Sequence, residues 1–170
     1  TTRASTRSAR ALGVALWLVV ISPFASAAQP PCVSGIGTPV GKVRATLNNL
    51  SHTHPDNIDV LLVGPGGQKS LLMSDAGGSF GTSNATLIFD DDAGTALPAG
   101  AAIVSGTYQP TNYDASDAFP VPAPPGPYPD PPRLAGFAGT NPNGTWSLYV
   151  ADDAAGDSGL FAGGWCLEIL

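Results

Sequence analysis

Bulky apolar residues alternate with polar ones in several short runs of this chain, and no segment holds a helical period. From Lys42 to Leu50, Val43, Ala45 and Leu47 fall on one side and Lys42, Arg44 and Thr46 on the other. That period of two marks a half-buried strand. Ile58 to Val63 is apolar almost throughout, as a central strand would be, and Gly64-Pro65-Gly66-Gly67 turns the chain so that Ser70 to Ser74 returns antiparallel. Thr86 to Phe89 and Ile103 to Tyr108 read as further short strands. The turn signal Asn141-Pro142-Asn143-Gly144 precedes Thr145 to Val150, where Trp146, Leu148 and Val150 share a face. A loop from Asp152 to Gly159 follows, and Gly164 to Leu170 closes the chain with Trp165, Leu167 and Ile169 together. About eight short antiparallel strands in two sheets, a jelly-roll-like β-sandwich, account for this pattern.

One stretch breaks it. Pro110 to Pro132 is dense in proline and has no period that could bury a face. A flexible linker is one reading of such composition. A crossover laid over the sandwich and pinned by Tyr113, Phe119 and Tyr128 fits better, because strands resume at once and structured domains seldom carry long unpinned loops.

The first residues read as a targeting segment. Arg3, Arg7 and Arg10 precede an apolar run from Ala11 to Ile21, and Ala25-Ser26-Ala27 supplies the small-x-small cleavage pattern. That run is short for a transmembrane helix, which needs about 20 residues. Residues 1–28 are therefore expected to be a signal peptide, and 29–170 one secreted domain with no stable membrane insertion. All thirteen acidic residues follow the leader and only four basic ones do, so the domain carries a net charge of −9. Such a surface repels phosphate backbones, which argues against nucleic acid, and it suits divalent cations or basic partners.

Two cysteines, Cys32 and Cys166, stand near the ends of the domain. In an oxidising compartment an even count reads as one disulfide joining the first and last strands. Carboxylates are the stronger chemical signal. Asp56, Asp59 and Asp75 form one candidate group and Asp152, Asp153 and Asp157 a second, all in or beside predicted turns. Ca²⁺ takes about 6–8 oxygen ligands, which acidic, glycine-rich loops can supply, although the spacing is not that of an EF-hand. The competing reading is Asx-turns and strand-end caps. His52 and His54 read as surface polar residues, since two histidines without a third ligand make a poor zinc site. Three sequons, at Asn49, Asn84 and Asn143, presume exposure. Gly156-Asp157-Ser158-Gly159 imitates the nucleophile segment of a serine protease. It is followed by Leu160-Phe161, and no base or orienting group is assured. No enzyme is expected.

The blocks Asn57-Ile58-Asp59-Val60-Leu61-Leu62-Val63-Gly64-Pro65-Gly66 and Asn141-Pro142-Asn143-Gly144-Thr145-Trp146, with the loop and Gly164-Trp165 strand after them, carry a resemblance. They are similar, in order, to the P domain (Homo B domain) of proprotein convertases and related secreted subtilases. The resemblance implies a jelly-roll sandwich of the galactose-binding-domain-like kind that is not itself catalytic. It implies an extracellular accessory module that stabilises or assists a protease or binds another extracellular protein. The subtilase catalytic domain is not among these residues. An extracellular carbohydrate-binding jelly roll is the alternative, with Tyr113, Phe119 and Tyr128 as the aromatics available to a glycan.

Overall fold

The computed structural model describes residues 39–114 and 116–170 in full, together with the backbone of four strands before them: β1 (Ser8–Ala11), β2 (Val14–Val20), β3 (Ala25–Ser26) and β4 (Cys32–Ser34). The remainder of the expected leader, with its cleavage boundary, lies outside the described residues. The strands that follow are β5 (Val43–His52), β6 (Ile58–Val63), β7 (Lys69–Ser74), β8 (Thr82–Phe89), β9 (Gly106–Tyr108), β10 (Thr111–Asn112), β11 (Gly144–Asp152), β12 (Gly159–Phe161) and β13 (Trp165–Ile169). One sheet runs β1-β2-β11-β6-β7-β10. In the other, β13 and β12 pair end to end along one edge of β5, β4 and β3 lie outside them, and β8 and β9 extend the other edge. The chain is an all-β, sandwich-like fold, and among the described residues no helix is long and apolar enough to cross a membrane.

The expectation of purely antiparallel sheets needs correction. The pairs β2/β11, β3/β12, β4/β13, β7/β10 and β8/β9 are parallel. Parallel neighbours require a long return, and the β8–β9 connection from Asp90 to Ser105 provides one. β8 is also longer than its apolar residues announce. Its first half, Thr82-Ser83-Asn84-Ala85, is too polar to look like a strand, yet it follows β5 across register shifts beside Leu50.

Alternation in the sequence becomes the core. Val43, Ala45, Leu47 and Leu50 of β5 turn inward to meet Trp146, Leu148 and Val150 of β11, all essentially without solvent exposure. The Trp146 ring packs on Phe137 at 5.1 Å between centroids, and its indole N–H donates to the Pro142 carbonyl. That bond folds the Asn-Pro-Asn-Gly turn back over the strand it begins. Gly144 follows at φ 133°, and a Cβ there would meet the Pro65 Cβ at 2.8 Å. The two turns that flank the β6–β11 pair therefore touch, and only glycine allows it.

Strands β6 and β7 are apolar on both faces because both faces are covered. The outward residues Leu61, Leu71 and Ala151 lie under Phe119 and Ala123 of the proline-rich crossover, with Tyr128 packed beside them. Phe119 and Tyr128 meet edge to face at 5.5 Å. The Lys69 ammonium donates to the Pro125 carbonyl and sits 5.4 Å from the centre of the Tyr128 ring. The crossover is thus pinned by Phe119 and Tyr128, whereas Tyr113 remains half exposed and its hydroxyl bonds the Leu97 carbonyl.

The three consecutive aspartates after β8 each have a structural task. Asp90 takes both Lys42 and Arg44, and Asp92 takes Lys42. Asp91 accepts from the amides of Leu134 and Ala135 at 2.9 and 2.7 Å, capping the short 3-10 turn Leu134–Phe137. Asp91→Ala should cost about 1–2 kcal/mol, since it orphans two backbone donors. Urea unfolding of the variant against the parent checks this.

Candidate cation site

Two strand ends and the crossover converge on Ser74, the last residue of β7. Its Oγ lies 2.7 Å from Asp59 Oδ1, 2.8 Å from Asp75 Oδ2 and 2.6 Å from Asp117 Oδ1. A hydroxyl has one proton to donate. At most one of these contacts is a hydrogen bond donated by Ser74, and with all three carboxylates ionised the other two set oxygen lone pairs against each other. One ligand oxygen from each of Asp59, Asp75 and Asp117 lies within 4.8 Å of the others. The chemistry of this donor set, hard anionic oxygens around a serine oxygen, is that of a site for a hard divalent cation.

Each element contributes for a local reason. Asp59 sits on β6 opposite Ala151 of β11, on the outward face that the crossover covers. Asp75 follows β7 in the left-handed region at φ 52°, which swings its carboxylate back toward the strand end. Asp117 stands two residues before Phe119, and in extended chain residues two apart share a side. Once Phe119 is seated on Leu61 and Leu71, Asp117 comes down beside Asp59.

Electrostatics follows from that packing. Burial, reinforced by the charges of Asp117, Asp153 and Asp75, pushes the Asp59 carboxyl up to about 7 against the opposing bond from Ser74. Asp117 is raised by burial and by Asp75, and Asp153 by burial and by Asp75 and Asp152. Outside this cluster, two further carboxylate oxygens, Asp56 Oδ1 and Asp152 Oδ1, are buried with no hydrogen-bond partner. Carboxylates withdrawn from water and left facing each other are what a cation would offset.

The candidate groups read from sequence are both broken up. Asp59 and Asp75 meet, but Asp56 does not join them; its carboxylate lies 3.7 Å from His54 Nδ1. Asp152, Asp153 and Asp157 part company because β11 alternates. Asp152 points into the sandwich, where its Oδ2 is 3.3 Å from His52 Nε2. Asp157 accepts from Thr53 Oγ1 at 3.1 Å and Asn57 Nδ2 at 2.9 Å, an ordinary loop brace. Asp153 anchors its loop by donating its amide to the Asn57 carbonyl. Asp117 was not foreseen, since nothing in the spacing of the crossover ties it to β6 or β7.

His52 also departs from expectation, being 3% exposed and wedged between the sheets. Its Nδ1 accepts from the His54 amide at 3.1 Å, which leaves the proton on Nε2, facing Asp152. An imidazole engaged at both nitrogens cannot serve as base to Ser158. Asp157 is likewise held by Thr53 and Asn57. The sequon asparagines Asn49, Asn84 and Asn143 are exposed as presumed.

Comparison of the chain with protein-family models, with curated proteins and with solved structures finds no match.

Proposed function

We propose that the chain is a secreted, non-catalytic accessory module of the P-domain kind, acting on a protease or another extracellular protein. The observation that carries this reading is the pairing of β6 with β11. The two sequence blocks on which the resemblance rests lie side by side in register, Val60 against Val150 and Leu62 against Leu148, with their turns in contact. They work as one unit.

Ca²⁺ is the proposed ion, held by Asp59, Asp75 and Asp117 with the Ser74 hydroxyl. Its remaining oxygens would come from backbone carbonyls and water. Bound there, it would supply positive charge that ties the crossover to the ends of β6 and β7. A disulfide between Cys32 and Cys166 belongs to the same reading. Their Cα positions are direct neighbours on the parallel strands β4 and β13, and adjacent strands lie within the Cα separation that a disulfide spans. Peptide mapping without reductant should recover the Cys32–Cys166 cross-link. Reduction should lower stability by about 2–4 kcal/mol.

Affinity capture tests the function. The immobilised full chain is exposed to culture supernatant and cell-wall fractions of the source organism, with Ca²⁺ and with EDTA. Retention of a protease that EDTA releases is the expected result. Retention of no protein under either condition would overturn the accessory role. The carbohydrate alternative does not keep its original site. Phe119 is 8% exposed and stacked edge-on by Tyr128, so only Tyr113 of the three presents a free ring.

A further inference from the structure

Strand β5 presents a polar outer face that the proposed function does not use. Arg44, Thr46 and Asn48 point outward and, after the register shift at Asn48-Asn49, so do Ser51 and Thr53. Clefts open at both ends of this strip. One, of about 330 Å³, is lined by Arg44, Thr46, Ile88, Asp90, Thr107 and Glu168. The other, of about 580 Å³, is lined by Ser51, Thr53, Thr82, Ser158 and Leu160 beside Gly81, Gly159 and His52. Within the first cleft, Thr46, Ile88 and Thr107 form a rung in register across β5, β8 and β9. Nine residues of β5, Arg44 to His52, with Thr53 just beyond them, give the strip a length of about 30 Å at most, since Asn49 at φ 56° interrupts the extended backbone.

Its charge sets it apart from the rest of the molecule. The second cleft has no ionisable lining residue except the buried His52. In the first, Arg44 is matched by Asp90 and Glu168. In a chain of net charge −6, the first cleft carries −1 and the second none, so this face has little net charge and many hydroxyls. Hydroxyls both donate and accept, and the Thr methyls with Ile88 and Leu160 add small apolar contacts. That mixture matches an uncharged, polyhydroxylated chain, not a basic peptide, which the acidic remainder of the surface would draw away.

We propose that the outer face of the second sheet, along β5 from Arg44 to Thr53, binds a neutral polysaccharide in extended form. The proposal stands apart from the accessory-module reading and from Ca²⁺, since neither cleft contains Asp59, Asp75 or Asp117.

Affinity electrophoresis of the full chain through gels containing soluble starch, mixed-linkage β-glucan, xylan or galactomannan tests it. At least one polysaccharide should retard the chain, with and without EDTA. The double substitution Thr46→Glu/Thr107→Glu puts like charges on the rung of the first cleft and should weaken retardation at least tenfold at unchanged melting temperature. If that variant does not fold, amide shifts of the parent titrated with the retarding oligosaccharide give the answer. They should concentrate on Thr46, Ser51, Thr53, Ile88 and Thr107. Absence of retardation by all four polymers, or shifts confined to the crossover, would overturn the proposal. Capture of a protease without any glycan binding would leave the accessory reading intact and remove this one.

Discussion

Freed of metal by EDTA, the protein should lose stability as pH rises from about 4 to 7, and millimolar Ca²⁺ should restore it. The sign follows from Asp59. Its carboxyl titrates near 7 in the folded chain against an ordinary value of 3.8. Between those values the folded state binds a proton that the unfolded state releases, so stability falls with pH until Asp59 is ionised. The full span corresponds to up to roughly 4 kcal/mol. A cation bound among Asp59, Asp75 and Asp117 would supply the missing counter-charge and flatten the slope. Asp90 behaves in the opposite sense. Burial works against its charge, but bonds from Lys42, the Asp92 amide and Arg44 hold it down at about 2. Its contribution is present above about 4 and lost as pH falls through 2. The metal-free protein should therefore be most stable near pH 4. Thermal melts from pH 2 to 8, in EDTA and in CaCl₂, make the measurement, with Asp59→Asn as control. If the EDTA curve is flat above pH 4 and indifferent to Ca²⁺, the cation site is wrong.

Replacing His52 by alanine should cost about 3–5 kcal/mol. Asp152 has no exposed side-chain surface and meets the imidazole at 3.3 Å, while its other oxygen has no partner. Removing the ring leaves a carboxylate inside the sandwich without its donor and opens a cavity as well. The loss should appear in urea unfolding as a lower midpoint with an unchanged slope. The double variant His52→Leu/Asp152→Leu should recover much of the loss, because apolar side chains need no partner there. A double variant as unstable as His52→Ala would show that cavity and packing, not the buried charge, dominate. Gly159→Ala strikes the same place from β12. Its Cβ would collide with the His52 ring and lie 2.5 Å from the Ser51 carbonyl, so either the strand or the ring must move.

Much of the sandwich was legible from the chain alone. Period-two runs in β5, β11 and β13 report which side of a strand meets the core, because alternate side chains of an extended chain point to opposite faces. The turns Gly64–Gly67 and Asn141–Gly144 were readable for a similarly local reason, since they need residues that tolerate unusual backbone angles. The continuous apolar run of β6 signalled burial on both faces, without saying what covers the second. The tertiary structure decided the rest. Local pattern carries no information about which strand ends come together, so the parallel partners of β7 and β8 could not be read. Asp117 reaches Asp59 only because Phe119 finds the apolar strip of the first sheet, at a distance in sequence that no spacing rule spans. Asp152 and Asp153 are neighbours in sequence, and the same alternation that revealed β11 sends one into the core and the other to the loop. His52 reads as a surface residue beside His54, and it is buried because β5 runs two residues beyond Leu50, its last apolar position, and so brings His52 onto the inward side.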